Sequence, residues 1–140
     1  MNSEITIKRS TRDDWDYILE LRNNTRQFYG NTNILTKDEH YAYLEKANVT
    51  IWIAYYGNEK MGFLKLNDYD LAIVLDEKFR NKGYGKIVLK LGLDTAEQDM
   101  FTAIIKKDNI PSIRLYTGLG YVKTGEKDNM ILFEYERNVK

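Results

Sequence analysis

The chain has 140 residues, 21 of them basic and 21 acidic, so the formal net charge is zero and nothing global directs it to nucleic acid or to an anionic membrane. Zero cysteines and one histidine exclude disulfides, thiol nucleophiles and thiolate or histidine-rich metal centres. The length suits one domain over residues 1–140; no apolar run could span a membrane and the polar start MNSEITIKRS is unlike a signal peptide, so a cytoplasmic protein is expected.

Residues 4–8 alternate and place Ile5 and Ile7 on one side, the pattern of a first strand. Ser10 or Thr11 can cap a helix that begins near Asp13 and carries Trp15, Ile18, Leu19 and Arg22 as a stripe. Asn23, Asn24 and Thr25 weaken it, and residues 26–33 read as a loop or short turn around Gly30. Thr36 and Glu39 form a capping-box pattern that opens a second helix through about Lys46. Residues 50–56 are β-branched and aromatic, a strand that turns at residues 57–60 and pairs back through residues 60–66. A further turn at 67–70 leads into the apolar strand 71–75.

After that strand come a polar turn and Gly83-Tyr84-Gly85-Lys86, then a run with Ile87, Val88, Leu89 and Leu91 that reads as a helix from Lys86 to about Gln98. A strand, a glycine turn and a helix start make an anion site, because the first helical N–H groups lack intrahelical partners and glycines let a ligand approach the main chain. The better-known phosphate loops do not fit. A P-loop requires glycine where Arg80 stands and Ser or Thr where Ile87 stands. The dinucleotide fingerprint requires glycine at Val88. What remains is R-x-x-G-x-G, from Arg80 to Gly85.

Residues 100–106 (MFTAIIK) form a strand, and Pro111 stands at the start of a short helix with Ile113, Leu115 and Tyr116 that stops at residues 118–120. Residues 121–124 and 130–136 give a final strand pair around a turn at 125–129. The order is β, two helices, three strands, helix, strand, helix, two strands. It predicts an α+β (mixed α/β) domain with a mostly antiparallel sheet of six to seven strands and about four helices.

The stretch from Asn109 to Tyr121, NIPSIRLYTGLGY, adds a second pattern, N-x-x-S-x-x-L-Y-x-x-L-G-Y. Together with the R-x-x-G-x-G turn it resembles the GNAT superfamily, the acetyl-CoA-dependent N-acetyltransferases. The resemblance covers essentially the whole chain, with the specific motifs confined to residues 71–121. It implies a splayed sheet and acetyl-CoA as co-substrate, with no metal.

The resemblance also implies roles. Main-chain amides of Asn81, Lys82, Gly83, Tyr84, Gly85 and Lys86 would cradle the pyrophosphate of coenzyme A, in a stretch made basic by Lys78, Arg80, Lys82, Lys86 and Lys90. Ile73, Val74 and Leu75 would offer backbone groups to the pantetheine arm. Asn109 would bond that arm or hold its loop; a plain turn before proline is the alternative. Tyr116 would act as the acid at the departing sulfur, against the plain alternative of a helix-face tyrosine packed on the core. A phenol near pKa about 10 is a slightly weaker acid than a thiol near about 8.5, yet hydrogen bonding can still assist a leaving thiolate.

The base and the acceptor are less defined. Protein N-terminal acetyltransferases often carry a glutamate on the strand before the asparagine; Ile104 stands there, which argues against that branch. Asp68, Asp70, Glu59 and His40 are the sequence-level candidates for a base. The acceptor is expected to be a small-molecule amine. Arg22 and His40 faintly resemble the acceptor side of enzymes that act on nucleotide-linked amino sugars, where both would approach the ligand; the plain alternatives are a helix-end arginine and a solvated surface histidine. Protein N-termini or lysines, and a non-catalytic acyl-CoA sensor, are the rival readings. Ile131, Leu132 and Phe133 could pair between subunits in a homodimer or fill the core.

Overall fold

The computed structural model describes residues 4–24 and 34–137; the expected loop at 26–33 lies outside them. Seven strands form one sheet in the order β1-β2-β3-β4-β5-β7-β6. The strands are β1 (Ile5–Arg9), β2 (Val49–Tyr56), β3 (Glu59–Asn67), β4 (Asp70–Leu75), β5 (Met100–Lys106), β6 (Val122–Lys127) and β7 (Met130–Glu136). Four α-helices flank them: α1 (Trp15–Asn24), α2 (Lys37–Lys46), α3 (Tyr84–Thr95) and α4 (Ile110–Gly118). The expected mixed, mostly antiparallel sheet with four helices is what is found.

Strand alternation sorts the core into two layers. On one face Leu64, Leu71, Phe101, Ala103, Ile105 and Phe133 pack against Val88, Leu89 and Leu93 of α3 and Tyr116 of α4. On the other face Ile51, Ile53, Phe63 and Val74 pack against Ile18 and Leu21 of α1. That second helical layer stops at β4. Ile104 on β5 remains 56% exposed and Val122 on β6 64% exposed. Among the described residues the sheet therefore has a covered half and an open half on this face, and β4 is the border.

Two differences from the sequence reading have local causes. Helix α3 ends at Thr95, short of Gln98, where Arg137 reaches back and donates to the carbonyls of Leu93, Ala96 and Gln98. Satisfying those carbonyls from outside stops the helix early. The last hairpin turns only at Asp128 and Asn129, since Lys127 already pairs with Met130 and Asp128 takes the left-handed φ of 56°. Gly125, read as part of that turn, lies inside β6 at a register shift.

Helices α1 and α2 are joined by polar and aromatic contacts. Arg12 lies over the rings of Trp15 at 4.6 Å and Tyr41 at 5.2 Å, and the Tyr41 hydroxyl donates to Asp16 at 2.8 Å. Asn23, read as a helix-weakening residue, is helical and clasps Leu35 with both ends of its amide, at 3.0 and 3.1 Å.

Candidate active site

Strand β4 is paired along one edge and open along the other. With β3 it keeps antiparallel register from Asp70 opposite Asn67 to Leu75 opposite Gly62. With β5 it keeps one parallel register, Asp70 opposite Thr102, where the Thr102 N–H donates to the Tyr69 carbonyl at 2.7 Å. From there the two strands diverge. Main-chain groups on the open edge need partners from elsewhere, since a buried unpaired N–H or C=O is costly.

Some of those partners are visible. The Tyr116 hydroxyl donates to the Leu71 carbonyl at 3.2 Å, and Arg80 Nε donates to the Leu75 carbonyl at 2.9 Å. Carbonyls along a strand point alternately to its two edges. The β5-facing groups of β4 are thus those of Leu71, Ile73 and Leu75, while Asp76 just beyond donates to Met61 on β3. Ile73 lies between the two captured carbonyls and faces the gap with no ladder partner on β5. Val74 corrects part of the expectation. Its main chain faces Phe63 and its side chain fills the α1 layer, so of residues 73–75 only Ile73 and Leu75 present backbone to the opening.

The glycine turn stands at the wide end of this opening. A short 3-10 turn, Glu77–Phe79, carries the chain out of β4; Asn81 then has φ 61° and Gly83 has φ 83°, both left-handed. A side chain at 83 would meet no neighbour, so glycine is required there by backbone conformation. Gly83 is the N-cap of α3 and supplies no capping side chain. The other helix starts are closed: Thr36 and Glu39 cap α2 reciprocally, Asn109 accepts from the Ser112 N–H at 3.3 Å at the start of α4, and Thr11 with Asp14 forms a box before α1. The amides of Tyr84, Gly85 and Lys86 are therefore left for a ligand or water.

The charges around the turn divide into engaged and open ones. Lys78 pairs with Glu59, Lys90 with Asp94 at 2.9 Å, and Arg80 is spent on Leu75. Lys82 and Lys86 are exposed and have no ion pair or hydrogen bond among the described residues. Two cations thus flank three open amides. Beside them Tyr84 packs with Tyr56 (centroids 5.4 Å apart) and Phe79 (6.3 Å), which fixes the first turn of the helix.

Tyr116 is 5% exposed, and its ring meets Tyr121 edge-on at 4.9 Å. Its hydroxyl stands at the apex of the opening, one residue past the last β4–β5 pair. An O–H···O distance of 3.2 Å is long against a usual 2.7–2.8 Å or so, which marks a weak bond. The sequence reading missed the Tyr121 hydroxyl, which is buried and has no hydrogen-bond partner among the described residues. Its ionisation is pushed up by burial and by the nearby Asp70 carboxylate. No period or motif announces an orphaned hydroxyl; only packing creates one.

The acceptor-side expectations change most. His40 is 4% exposed, not a solvated residue, and its Nε2 lies 3.0 Å from the Trp15 carbonyl. A carbonyl only accepts, so Nε2 carries the proton and the ring ties α2 to α1. Burial lowers its pKa, with the Trp15 bond opposing the shift and Arg22 adding to it. Arg22 lies in the last turn of α1 and donates to Asn23 at 3.2 Å. Asn109 is a helix cap whose oxygen is already used.

The model of the acetyltransferase (GNAT) family matches residues 15–121. Among solved structures, a domain from Methanocaldococcus jannaschii DSM 2661 superposes with TM-score 0.83 at 23% identity, over 94% of this chain and 97% of that one. The protein yncA from Salmonella typhimurium, solved with its cofactor acetyl-CoA, gives 0.76 at 18% identity, over 95% and 94%. Spermidine N-acetyltransferase from Vibrio cholerae, in complex with CoA and spermine, gives 0.78 at 15% identity, over 95% and 94%. At such identities the structural likeness is one of fold. The family match over residues 15–121, carried on a sheet that opens between β4 and β5, makes this chain a member of the acetyltransferase (GNAT) family.

Proposed function

We propose that this protein transfers the acetyl group of acetyl-CoA to a primary amine of a small molecule by direct attack. The observation that carries the reading is the one-register β4–β5 contact leading to an uncapped α3 start. A slot with unpaired backbone along one wall suits a linear amide-bearing arm. The open amides of Tyr84, Gly85 and Lys86, with the cations of Lys82 and Lys86, suit a pyrophosphate. Acetyl-CoA supplies an activated thioester; the chain supplies position and proton handling.

In this reading Ile73 and Leu75 align the arm, and the sulfur end lies near the apex where Tyr116 stands. The Tyr116 hydroxyl exchanges its weak bond to Leu71 for one to the departing sulfur and gives it a proton. Hydrogen-bonded general-acid help of that kind is worth about 10²–10⁴-fold. A small-molecule acceptor agrees with the absence of an acid at Ile104 and with the spermine complex of the Vibrio cholerae relative. The nucleotide-sugar variant leans on Arg22 and His40, and of these His40 is buried and bonded to Trp15.

The test is release of free thiol from acetyl-CoA with a panel of polyamines, other alkyl amines, UDP-linked amino sugars and peptides. Turnover is expected with small alkyl amines. Tight CoA binding without turnover on any amine would replace the transferase reading with that of an acyl-CoA sensor.

A further inference from the structure

In the proposed transfer the Tyr116 hydroxyl leaves the Leu71 carbonyl to meet the departing sulfur. Leu71 is fully buried, so water does not replace the donor that its carbonyl loses. A buried carbonyl without a donor is costly, and that cost adds to the barrier. Turnover therefore gains from a second donor close by. Among the described residues Tyr121 supplies one.

Tyr121 is buried, and its hydroxyl has no hydrogen-bond partner among the described residues. A phenylalanine would fill the same space without withdrawing a hydroxyl from water. The Tyr121 ring meets the Tyr116 ring edge-on, with centroids 4.9 Å apart. Both belong to the core cluster that contains Leu71, and the Tyr121 N–H donates to the Tyr116 carbonyl at 3.1 Å. The two tyrosines are thus tied to one helix end and pack into one layer. The Tyr121 hydroxyl also senses the start of β4: burial first, and then the Asp70 carboxylate, push its ionisation up. Asp70 precedes Leu71 in the chain. A phenol that keeps its proton can donate, whereas an ionised carboxylate only accepts.

We propose that the Tyr121 hydroxyl is a standby donor that takes the Leu71 carbonyl when Tyr116 turns to the sulfur. The assignment rests on the acetyl-transfer reading above. It makes Tyr121 a positioning residue, since it acts through Leu71 and Tyr116. At rest Tyr116 donates to Leu71 and the Tyr121 hydroxyl is unpaired. The amine forms the C–N bond to the acetyl carbon and yields a proton to solvent. The C–S bond breaks, its electron pair leaves on sulfur, and sulfur takes the Tyr116 proton. The Tyr121 O–H meanwhile meets the Leu71 oxygen, and no proton changes hands there. Once Tyr116 regains a proton from solvent it returns to Leu71, and Tyr121 is released.

Two observations favour this exchange. The Tyr116–Leu71 bond is long at 3.2 Å, and so is easily given up. The resting protein also carries an unpaired hydroxyl that finds its partner only as the sulfur departs. An interaction made in the transition state and absent from the ground state is the kind that accelerates a step.

The experiment is a double-mutant cycle over Tyr116→Phe and Tyr121→Phe, read in kcat, acetyl-CoA affinity and stability to denaturant. Tyr121→Phe alone should lower kcat about 10-fold, the effect of one hydrogen bond to a buried group, with acetyl-CoA affinity unchanged. Its stability should stay level or rise, because an unpaired buried hydroxyl is removed. In the Tyr116→Phe background the Leu71 carbonyl is vacant, and the Tyr121 hydroxyl takes it permanently. There Tyr121→Phe should leave kcat unchanged and lower the denaturation midpoint. A wild-type kcat in Tyr121→Phe, or losses that simply add around the cycle, overturns the standby role. So does a Tyr121→Phe midpoint that moves the same way in both backgrounds. A wild-type protein that binds acetyl-CoA and acetylates no amine overturns the acetyl-transfer reading and takes this role with it.

Discussion

Strand β4 has two edges built from the same six residues and used in opposite ways. Toward β3 every residue from Asp70 to Leu75 is in register, and the two backbones come so close that a Cβ on Gly62 would lie 2.1 Å from the Val74 carbonyl oxygen. Toward β5 the register ends after one pair, and a tyrosine and an arginine borrowed from outside the sheet capture the carbonyls of Leu71 and Leu75. A closed edge holds the strand, and an open edge leaves main-chain groups for other partners, a ligand among them in the proposed function. The contrast teaches that this site is made by withholding pairing as much as by adding side chains.

Damage to the closed edge should be the most severe. Gly62→Ala forces a methyl into the backbone of β4, where neither Val74 nor Leu75 can yield without breaking register. Overpacking of that kind costs about 1–3 kcal/mol and sometimes more; chemical denaturation should show a large loss of stability, with a wild-type midpoint contradicting the account. At the open edge the effect should appear in ligand affinity. A Cβ at Gly85 finds only ordinary contacts, 3.5 Å from Leu115 and 3.7 Å from Leu75, so Gly85→Val should fold. Its bulk would still block the α3 amides, and loss of hydrogen bonds to a charged group, at about 1.5–3 kcal/mol each, implies about 10²-fold weaker CoA binding by calorimetry. Gly83→Val should show the same loss with added strain at φ 83°.

Tyr116→Phe tests the apex. It should lower turnover with CoA affinity nearly intact; equal losses in both would reduce Tyr116 to a partner for the Leu71 carbonyl. The smallest effect belongs to the layer away from the opening. His40 has a pKa lowered in the folded protein, first by burial, so the unfolded chain binds the proton more readily. Stability should be fully present above the unfolded value near about 6.5 and should decline as pH falls below it. His40→Asn should flatten that slope between about pH 6.5 and 5, measured by denaturation at each pH. A persisting slope would place the titration elsewhere.

Legibility followed range. The cap of α2 was written in Thr36 and Glu39, and the glycine turn in residues 80–85, because both act over a few neighbouring positions. Asn109 was half legible: its place before proline announced a break, while its use as the α4 cap needed the backbone geometry. His40, expected at the surface or beside a ligand, is buried, since helical spacing says which residues share a face and nothing about which carbonyl on another helix will meet an imidazole.

The sequence by itself determined the order of elements, the R-x-x-G-x-G turn and the N-x-x-S-x-x-L-Y stretch, and through them the family. These are local patterns, carried by period, glycine conformation and capping. Only the tertiary structure decided that β4 parts from β5 after Asp70, that Val74 faces away from the opening while Ile73 and Leu75 face it, and that the Tyr116 hydroxyl reaches the Leu71 carbonyl. Those facts join residues up to 45 positions apart, as in the Tyr116–Leu71 bond. Register and burial arise only when the whole sheet has closed around its core.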